Sequence, residues 1–315
     1  MSKATIIGAG SVGATIAYTM ALNAIVSEIV IIDINEKKAF GEAMDISQGA
    51  PFSSPVTVYS GGYEDAVGSD IVVITSGLPR KAGQSRLELA QTNVNVIKEI
   101  APQIVKHAPE AVYILVSNPV DVLTYVFHKI SGIPEERIIG SGTILDTSRV
   151  RSFIADKFDI NQKTVHAYVF GEHGDSSFVP WSLATVGTIP LEQYRASLSS
   201  NLKNEIAEID YEEAEKYTRT SGGTIIANKG ATFYGVSVSV CHICKCLLGS
   251  KDTLLTVSTM MHGEMGVDDV CMSALALVGP GGIKGTLVPP LTDEEKAKFV
   301  NSANKLKEVI NSVTI

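Results

Sequence analysis

Apolar residues in the first 140 positions fall in short runs separated by amphipathic stretches. Ala4-Thr5-Ile6-Ile7 reads as a strand, and a helical pattern follows from Val12 to Leu22. Ile29 to Ile32, Val56 to Tyr59, Ile71 to Ile74, Val112 to Val116 and Arg137 to Gly140 read as further strands. A 3.6-residue period covers about Ser85 to His107. Pro102 is expected to kink or split that helix, because it lacks an N–H. Strands apolar on both faces, alternating with helices, predict a buried parallel sheet with helices on each side.

The second half is patterned differently. A helix follows Thr147 and reaches Phe158, Val165 to Phe170 reads as a strand, and one long helix is predicted from about Gly222 to Leu248. Strand-like runs lie near Leu254–Met260 and Leu275–Val278, and Leu287-Val288 precedes a Pro-Pro stop. Thr292-Asp293-Glu294-Glu295 is a capping box for a C-terminal helix. The change of pattern places a domain boundary near Ser141–Thr143, giving units 1–142 and 143–315. No internal repeat is visible.

Composition narrows the function classes. With 45% hydrophobic and 19% charged residues, the 315-residue chain is neither disordered nor fibrous. Its mean hydropathy of +0.18 fits a large core, or subunit interfaces that cover apolar surface. No run approaches the roughly 18–20 apolar residues of a membrane helix. Gly8 and Gly10 interrupt any secretory h-region, so a cytoplasmic setting is expected. A net charge of −8 argues against non-specific nucleic-acid binding. Three of the four cysteines fall in Cys241-His242-Ile243-Cys244-Lys245-Cys246. That run lacks a second Cys/His pair at zinc spacing and continues an apolar helix, so no metal is expected.

Gly8-Ala9-Gly10-Ser11-Val12-Gly13 is a G-x-G-x-x-G that follows a strand and opens a helix, and Asp33 ends the next strand twenty residues after Gly13. In that context the motif reads as a dinucleotide site. Gly8 permits the tight turn, Gly10 lets backbone approach the pyrophosphate, and Gly13 lets helix pack on strand. The free N–H groups of the helix N-terminus attract phosphate. A carboxylate at Asp33 suits ribose hydroxyls and repels a 2′-phosphate, which favours NAD over NADP.

A second group of residues carries acid–base chemistry. His173 stands between Glu172 and Gly174, just past the strand ending at Phe170, and a histidine there is suited to moving protons near neutral pH. Asp146 and Arg149 share one face of a helix start, to pair with each other or with a ligand. Arg80, Lys81 and Arg86 load a Gly-containing stretch with positive charge, and Asn118 follows the fifth strand at the ligand-binding edge of an open sheet.

Taken in order, GAGSVG, Asp33, the stretch ending in Arg86, SNPVD, DTSR, GEHGD and KGAT resemble the L-lactate/L-malate dehydrogenase family nearly end to end. Glu172, Val120, Trp181 and Thr232 give a texture similar to bacterial L-lactate dehydrogenases. The resemblance implies an α/β fold: a Rossmann-type doubly wound parallel sheet followed by an α+β substrate-binding catalytic domain. It also implies NAD-dependent hydride transfer to and from a small 2-oxo acid. By the same resemblance His173 is the proton donor and acceptor, and Asp146 holds its imidazole. Arg149 clamps the substrate carboxylate, Arg86 polarises the carbonyl from a mobile loop, and Asn118 bonds the substrate oxygen. Val12, Lys38, Tyr63, Gly77, Val116 and Ser141 match positions near the cofactor.

Two specificity markers oppose each other. Arg80 stands where malate enzymes carry Arg and most lactate enzymes carry Gln, so it favours a second substrate carboxylate. Thr232 stands where malate enzymes usually have a smaller residue. The rest of the chain leans to lactate, with malate dehydrogenase as the alternative. Arg151 and His166 match the positions by which allosteric bacterial lactate dehydrogenases bind fructose 1,6-bisphosphate, which implies a homotetramer. An NAD-using hydrolase and a non-catalytic NAD-binding protein are more remote readings. The first lacks a metal site, and the second gives no reason for His173, Asp146, Arg86 and Arg149 to occur together.

Overall fold

The computed structural model describes residues 2–53, 55–79, 86–197 and 208–315. The first half runs β1 (Lys3–Ile7), α1 (Ser11–Leu22), β2 (Glu28–Ile32), α2 (Glu36–Gly49), β3 (Thr57–Ser60) and β4 (Ile71–Ile74). It continues with α3 (Arg86–His107), β5 (Val112–Leu115), α4 (Val120–Ser131) and β6 (Ile138–Gly140). These strands pair in parallel in the order β3-β2-β1-β4-β5-β6. The order reverses between β1 and β4, so the connections leave a crevice at the carboxyl ends of those strands. This is the parallel sheet that the alternating pattern predicts, in the Rossmann arrangement that the family resemblance implies. Val- and Ile-rich β4 is buried throughout because helices cover both faces.

The second half contains α5 (Ile144–Phe158), β7 (Val165–His166), β8 (Thr185–Val186), β9 (Ile189–Pro190), α6 (Leu191–Ser197), α7 (Tyr211–Lys229) and α8 (Tyr234–Leu247). It ends with β10 (Thr253–His262), β11 (Asp268–Gly279), β12 (Gly282–Leu287) and α9 (Asp293–Ser312). The antiparallel meander β10-β11-β12 joins the parallel sheet where Ser258 pairs with Gly140. A nine-stranded sheet results, and β7-β8-β9 form a small sheet of their own. On one face, Val94, Ile97, Phe127, Phe299 and Leu306 bring α3, α4 and α9 into a single core. On the other, Ile16, Met20, Val240 and Ile243 join α1 to α8.

Four local expectations differ from the structure. The long helix expected from Gly222 to Leu248 is two helices, because Gly230 adopts a left-handed φ of 84° and its N–H returns to the Ile226 carbonyl at 2.8 Å. Helix α3 continues through Pro102, so of the kink or split expected there the split does not occur. Helix α5 starts before Thr147, which puts Asp146 in its first turn. The strand expected over Val165 to Phe170 pairs as a strand only at Val165–His166, with one bridge from Phe170 to Phe178. Helix α5 supplies the missing partners from side chains. Arg151 Nε donates to the Ala167 carbonyl at 2.8 Å, Thr143 Oγ1 donates to the Val169 carbonyl at 2.5 Å, and the Val169 N–H donates to Thr147 Oγ1 at 2.9 Å.

The approach of α1 to β1 depends on Gly13, where an added Cβ would lie 1.8 Å from the Gly8 carbonyl oxygen. Around Gly10 an added Cβ meets nothing within 4 Å. Urea unfolding should therefore show Gly13→Ala losing about 1–3 kcal/mol by overpacking. Gly10→Ala should lose no more than about 1 kcal/mol as a poorer helix cap. Equal losses would show that close helix–strand approach is not what Gly13 provides.

Candidate active site

The carboxyl ends of the parallel strands collect the residues expected around a dinucleotide. Gly8 follows β1 with a φ of 109°, a conformation that suits glycine. Asp33 follows β2 and ties the turn together: Oδ2 accepts the Ala9 N–H at 2.6 Å and Oδ1 the Asn35 N–H at 2.8 Å. Val12 is half-buried in α1, and Lys38 is exposed in the first turn of α2. Tyr63 follows β3, and burial pushes its phenol above the usual range. Gly77 follows β4, Val116 extends β5 by donating to the Ile74 carbonyl at 3.0 Å, and Ser141 extends β6 by donating to the Leu115 carbonyl at 2.8 Å. Open space at Gly10, the helix N-terminus of α1 and the Asp33 carboxylate fit a dinucleotide in chemistry and in room.

Buried Asn93 of α3 joins two of these strand ends. Its Oδ1 accepts the Leu78 N–H at 2.8 Å and its Nδ2 donates to the Asn118 carbonyl at 2.7 Å. Asn118 itself is exposed at this edge. Arg86 opens α3. Arg80 lies outside the described residues.

Asp146 links the other charged candidates. Its Oδ2 lies 2.6 Å from His173 Nδ1, and its Oδ1 accepts from Arg149 Nη1 at 2.8 Å. The Asp146 side chain is 7% exposed and that of Arg149 13%. Burial opposes ionisation of Asp146, but the charges of His173 and Arg149 outweigh it and hold the carboxyl below its usual range. The Asp146 charge in turn overcomes the desolvation of His173 and pushes its imidazole up to about 9. His173 is thus cationic at neutral pH. Asp146 engages Nδ1, and the side chain keeps 28% exposure, which leaves Nε2 as the ring atom that can pass a proton.

Separate elements fix the loop that carries His173. Gly171 exchanges backbone hydrogen bonds with Ser273 of β11 at 2.9 and 3.0 Å. The Glu172 N–H donates to Ser302 Oγ of α9 at 2.8 Å, and the His173 N–H donates to Asp121 Oδ2 of α4 at 2.7 Å. Gly222 of α7 faces Arg149, where an added Cβ would lie 3.5 Å from Nη2. Asn93, Gly222 and Ser302 were not picked out from the sequence, and Asp121 was read only as the end of the SNPVD motif, without a role of its own. A glycine pair inside a helix costs about 1 kcal/mol per residue, and at Gly222-Gly223 that cost was a readable sign of a functional constraint.

The remaining candidates lie farther out. Thr232 is half-buried between α7 and α8. The Arg151 guanidinium lies 4.7 Å from the Tyr168 ring centre, and His166 is exposed on β7, next to the Ala167 carbonyl that Arg151 holds. Arg151 also lines a cavity of about 590 Å³ with Lys163, Tyr168, Tyr234 and His242. The cysteines of α8 are buried, and burial raises the thiol of Cys241 to about 12. Among the described residues no cluster of His, Cys, Asp and Glu is placed to hold a metal ion, and no helix is long and apolar enough to cross a membrane.

Known proteins match this chain along its whole length. Residues 2–140 match the NAD binding domain of lactate/malate dehydrogenases, and residues 143–314 match the alpha/beta C-terminal domain of the same proteins. The L-lactate dehydrogenase of Acetivibrio thermocellus is 42% identical over 315 residues, covering 100% of this chain and 98% of the relative. L-lactate dehydrogenase 1 of Clostridium acetobutylicum is 42% identical over 312 residues, with 99% and 98% coverage. Among solved structures, a lactate dehydrogenase from a Medee basin deep-sea metagenome library superposes with a TM-score of 0.94 at 35% identity, covering 99% and 98% of the two chains. The ligand-bound minor L-lactate dehydrogenase of Enterococcus mundtii gives 0.93 at 35% identity, with 100% and 99% coverage. The chain therefore belongs to the lactate/malate dehydrogenase family and is an NAD-dependent 2-hydroxy acid dehydrogenase.

Proposed function

We propose that this chain is an L-lactate dehydrogenase that interconverts pyruvate and L-lactate, with His173 as acid and base. The observation that carries the reading is the Asp146 carboxylate shared between His173 Nδ1 and Arg149 Nη1 at 2.6 and 2.8 Å. The nicotinamide, when bound, supplies or takes up the hydride. His173 gives its Nε2 proton to the carbonyl oxygen of pyruvate as that oxygen becomes a hydroxyl, and takes it back in the reverse direction. Asp146 stabilises the charged ring and fixes its orientation. Arg149 binds the substrate carboxylate, and the missing Cβ at Gly222 leaves room beside its Nη2. Arg86 polarises the carbonyl, and Asn118 donates to the same oxygen. Gly8, Gly10, Val12 and Gly13 cradle the pyrophosphate and Asp33 holds the ribose, with Lys38, Tyr63, Gly77, Val116 and Ser141 around the rest of the cofactor.

In this reading residues 1–142 form the cofactor domain and 143–315 the substrate domain of a cytoplasmic homotetramer. Arg151, stacked on Tyr168, and exposed His166 bind fructose 1,6-bisphosphate as an activator. Arg80 specifically favours oxaloacetate, and that is the second reading. Thr232 and the 42% identity to the L-lactate dehydrogenases favour pyruvate.

Initial rates of NADH oxidation separate the two. Pyruvate should exceed oxaloacetate, and fructose 1,6-bisphosphate should lower the pyruvate KM in the wild type but not in Arg151→Gln/His166→Ala. A large oxaloacetate preference with no bisphosphate effect would establish the malate reading. His173→Ala should reduce kcat by at least about 100-fold, the lower range for a lost general acid, while NADH affinity stays within about twofold. A near-normal kcat would remove His173 from the proton transfer.

Stability should depend on the same pair. The folded pKa of His173 lies above its unfolded value of 6.5, so the His173–Asp146 contribution is complete below 6.5 and is lost as pH rises through about 9. Between about pH 6.5 and about pH 9.5, urea unfolding of the wild type should lose up to about 3 kcal/mol. Asp146→Asn should lose much less over that interval. Equal slopes would show that Asp146 does not hold the imidazolium.

A further inference from the structure

Asp121 is a buried carboxylate that the proposed mechanism does not use. It sits in the first turn of α4, 2% exposed, and its Oδ2 accepts the His173 N–H at 2.7 Å. Asp146 of α5 grips the ring of the same histidine at 2.6 Å. Two carboxylates from two helices thus hold one residue, one by its backbone and one by its ring. Asp121 Oδ1 makes no hydrogen bond of ordinary geometry, and neither does the buried Ser258 hydroxyl of β10. Holding a backbone N–H requires only a neutral acceptor, so a carboxylate here calls for a further reason.

We propose that Asp121 is a positioning residue for proton transfer, its carboxylate fixing the His173 backbone and, as a second anion, sustaining the charged imidazole. The proposal rests on the reading of His173 as acid and base. Every charged group that faces Asp121 bears on the sign. His173 favours its ionised form, the Ser258 hydroxyl does so too, and Glu172 opposes it. Asp146 raises the His173 value as Asp121 does, and Arg149 lowers it. The Cys271 thiol of β11 is pushed up by burial first and then by Asp121, so it stays neutral. Burial dominates and pushes Asp121 up to about 6. The carboxylate is therefore charged at neutral pH and loses its charge in mild acid, where the His173 value falls with it.

The experiment is a pH series on the full chain with Asp121→Asn and Ser258→Ala. It reads pyruvate kcat/KM and, without cofactor, the His173 imidazole resonance. Asp121→Asn keeps an acceptor for the His173 N–H and removes the charge. It should lower the His173 titration by about half a pH unit or more, and its deficit in kcat/KM should be larger by about twofold or more at pH 9 than at pH 7. Ser258→Ala removes the hydroxyl that lowers the Asp121 value, so the acid-side inflection that Asp121 imposes on the His173 resonance should move to higher pH. If Asp121→Asn lowers the melting temperature but leaves the His173 titration and the basic limb in place, Asp121 is scaffold only and the proposal falls. Where Asp121→Asn does not fold, an unchanged acid-side inflection of the His173 resonance in Ser258→Ala overturns it instead. A wild-type rate without any limb at the His173 titration would sink the acid–base reading itself, a different failure from the other two.

Discussion

The Asp146 carboxylate is the interaction on which the site depends. It is almost fully buried, and it remains ionised because it meets a cation on each oxygen. A buried carboxylate without such partners would protonate, and a buried pair that loses one member leaves an uncompensated charge costing about 3–5 kcal/mol. The arrangement is mutual, because the imidazole is cationic only while the carboxylate is charged. Arg149 faces the same constraint: Asp146 occupies its Nη1, which sets the guanidinium against the glycine face of α7. One acid therefore favours the charged form of His173 and sets the orientation of Arg149. Its place in the first turn of α5 adds the favourable end of the helix dipole.

The sheet makes that arrangement accessible to a ligand. Parallel strands deliver the Gly8 turn, Asp33, Gly77, Val116 and Ser141 to one edge, and the meander β10-β11-β12 continues the same sheet beyond β6. The His173 loop hangs on β11 through Gly171 and Ser273, so His173 and the Gly8 turn belong to one hydrogen-bonded framework. Helix α9 adds Ser302 from the far end of the chain. Residues distant in sequence are thereby tied to one loop by direct hydrogen bonds.

What was legible in the sequence follows from the range of the forces involved. The dinucleotide turn is a local device in which strand, glycines, helix and acid lie within one βαβ unit, and it reads directly. The strand order follows from short right-handed connections. The pairing of Asp146 with His173 spans 27 residues and was reached only through resemblance to a family. Asn93 and Ser302 act on backbone groups far away in sequence, which no periodicity or motif marks, and Asp121, though it ends the SNPVD motif, shows its bond to the His173 N–H only in the fold. The division between α7 and α8 had a local cause in Gly230, which was passed over because the apolar pattern continues on both sides of it. The strand expected before His173 was lost to competition: Arg151, Thr143 and Thr147 satisfy backbone groups that a neighbouring strand would otherwise take. Arg80, on which the sequence-based case for the malate reading rests, lies outside the described residues.

The two carboxylates on His173 show how stability and chemistry are traded at this site. Asp146 is held below the usual range by its cations, and Asp121 is pushed above it by burial. Keeping Asp121 charged at neutral pH costs the fold about 3 kcal/mol at most, a large share of the roughly 5–15 kcal/mol that holds a domain together. A neutral acceptor would satisfy the His173 N–H without that cost. The cost and the function have the same origin, because the low-dielectric surroundings that penalise the Asp121 charge also let it act on the imidazole with little screening. A solvated carboxylate at the same distance would be cheaper to ionise and would do less for the histidine. The burial that strains the fold at Asp121 is thus the condition for its influence on His173.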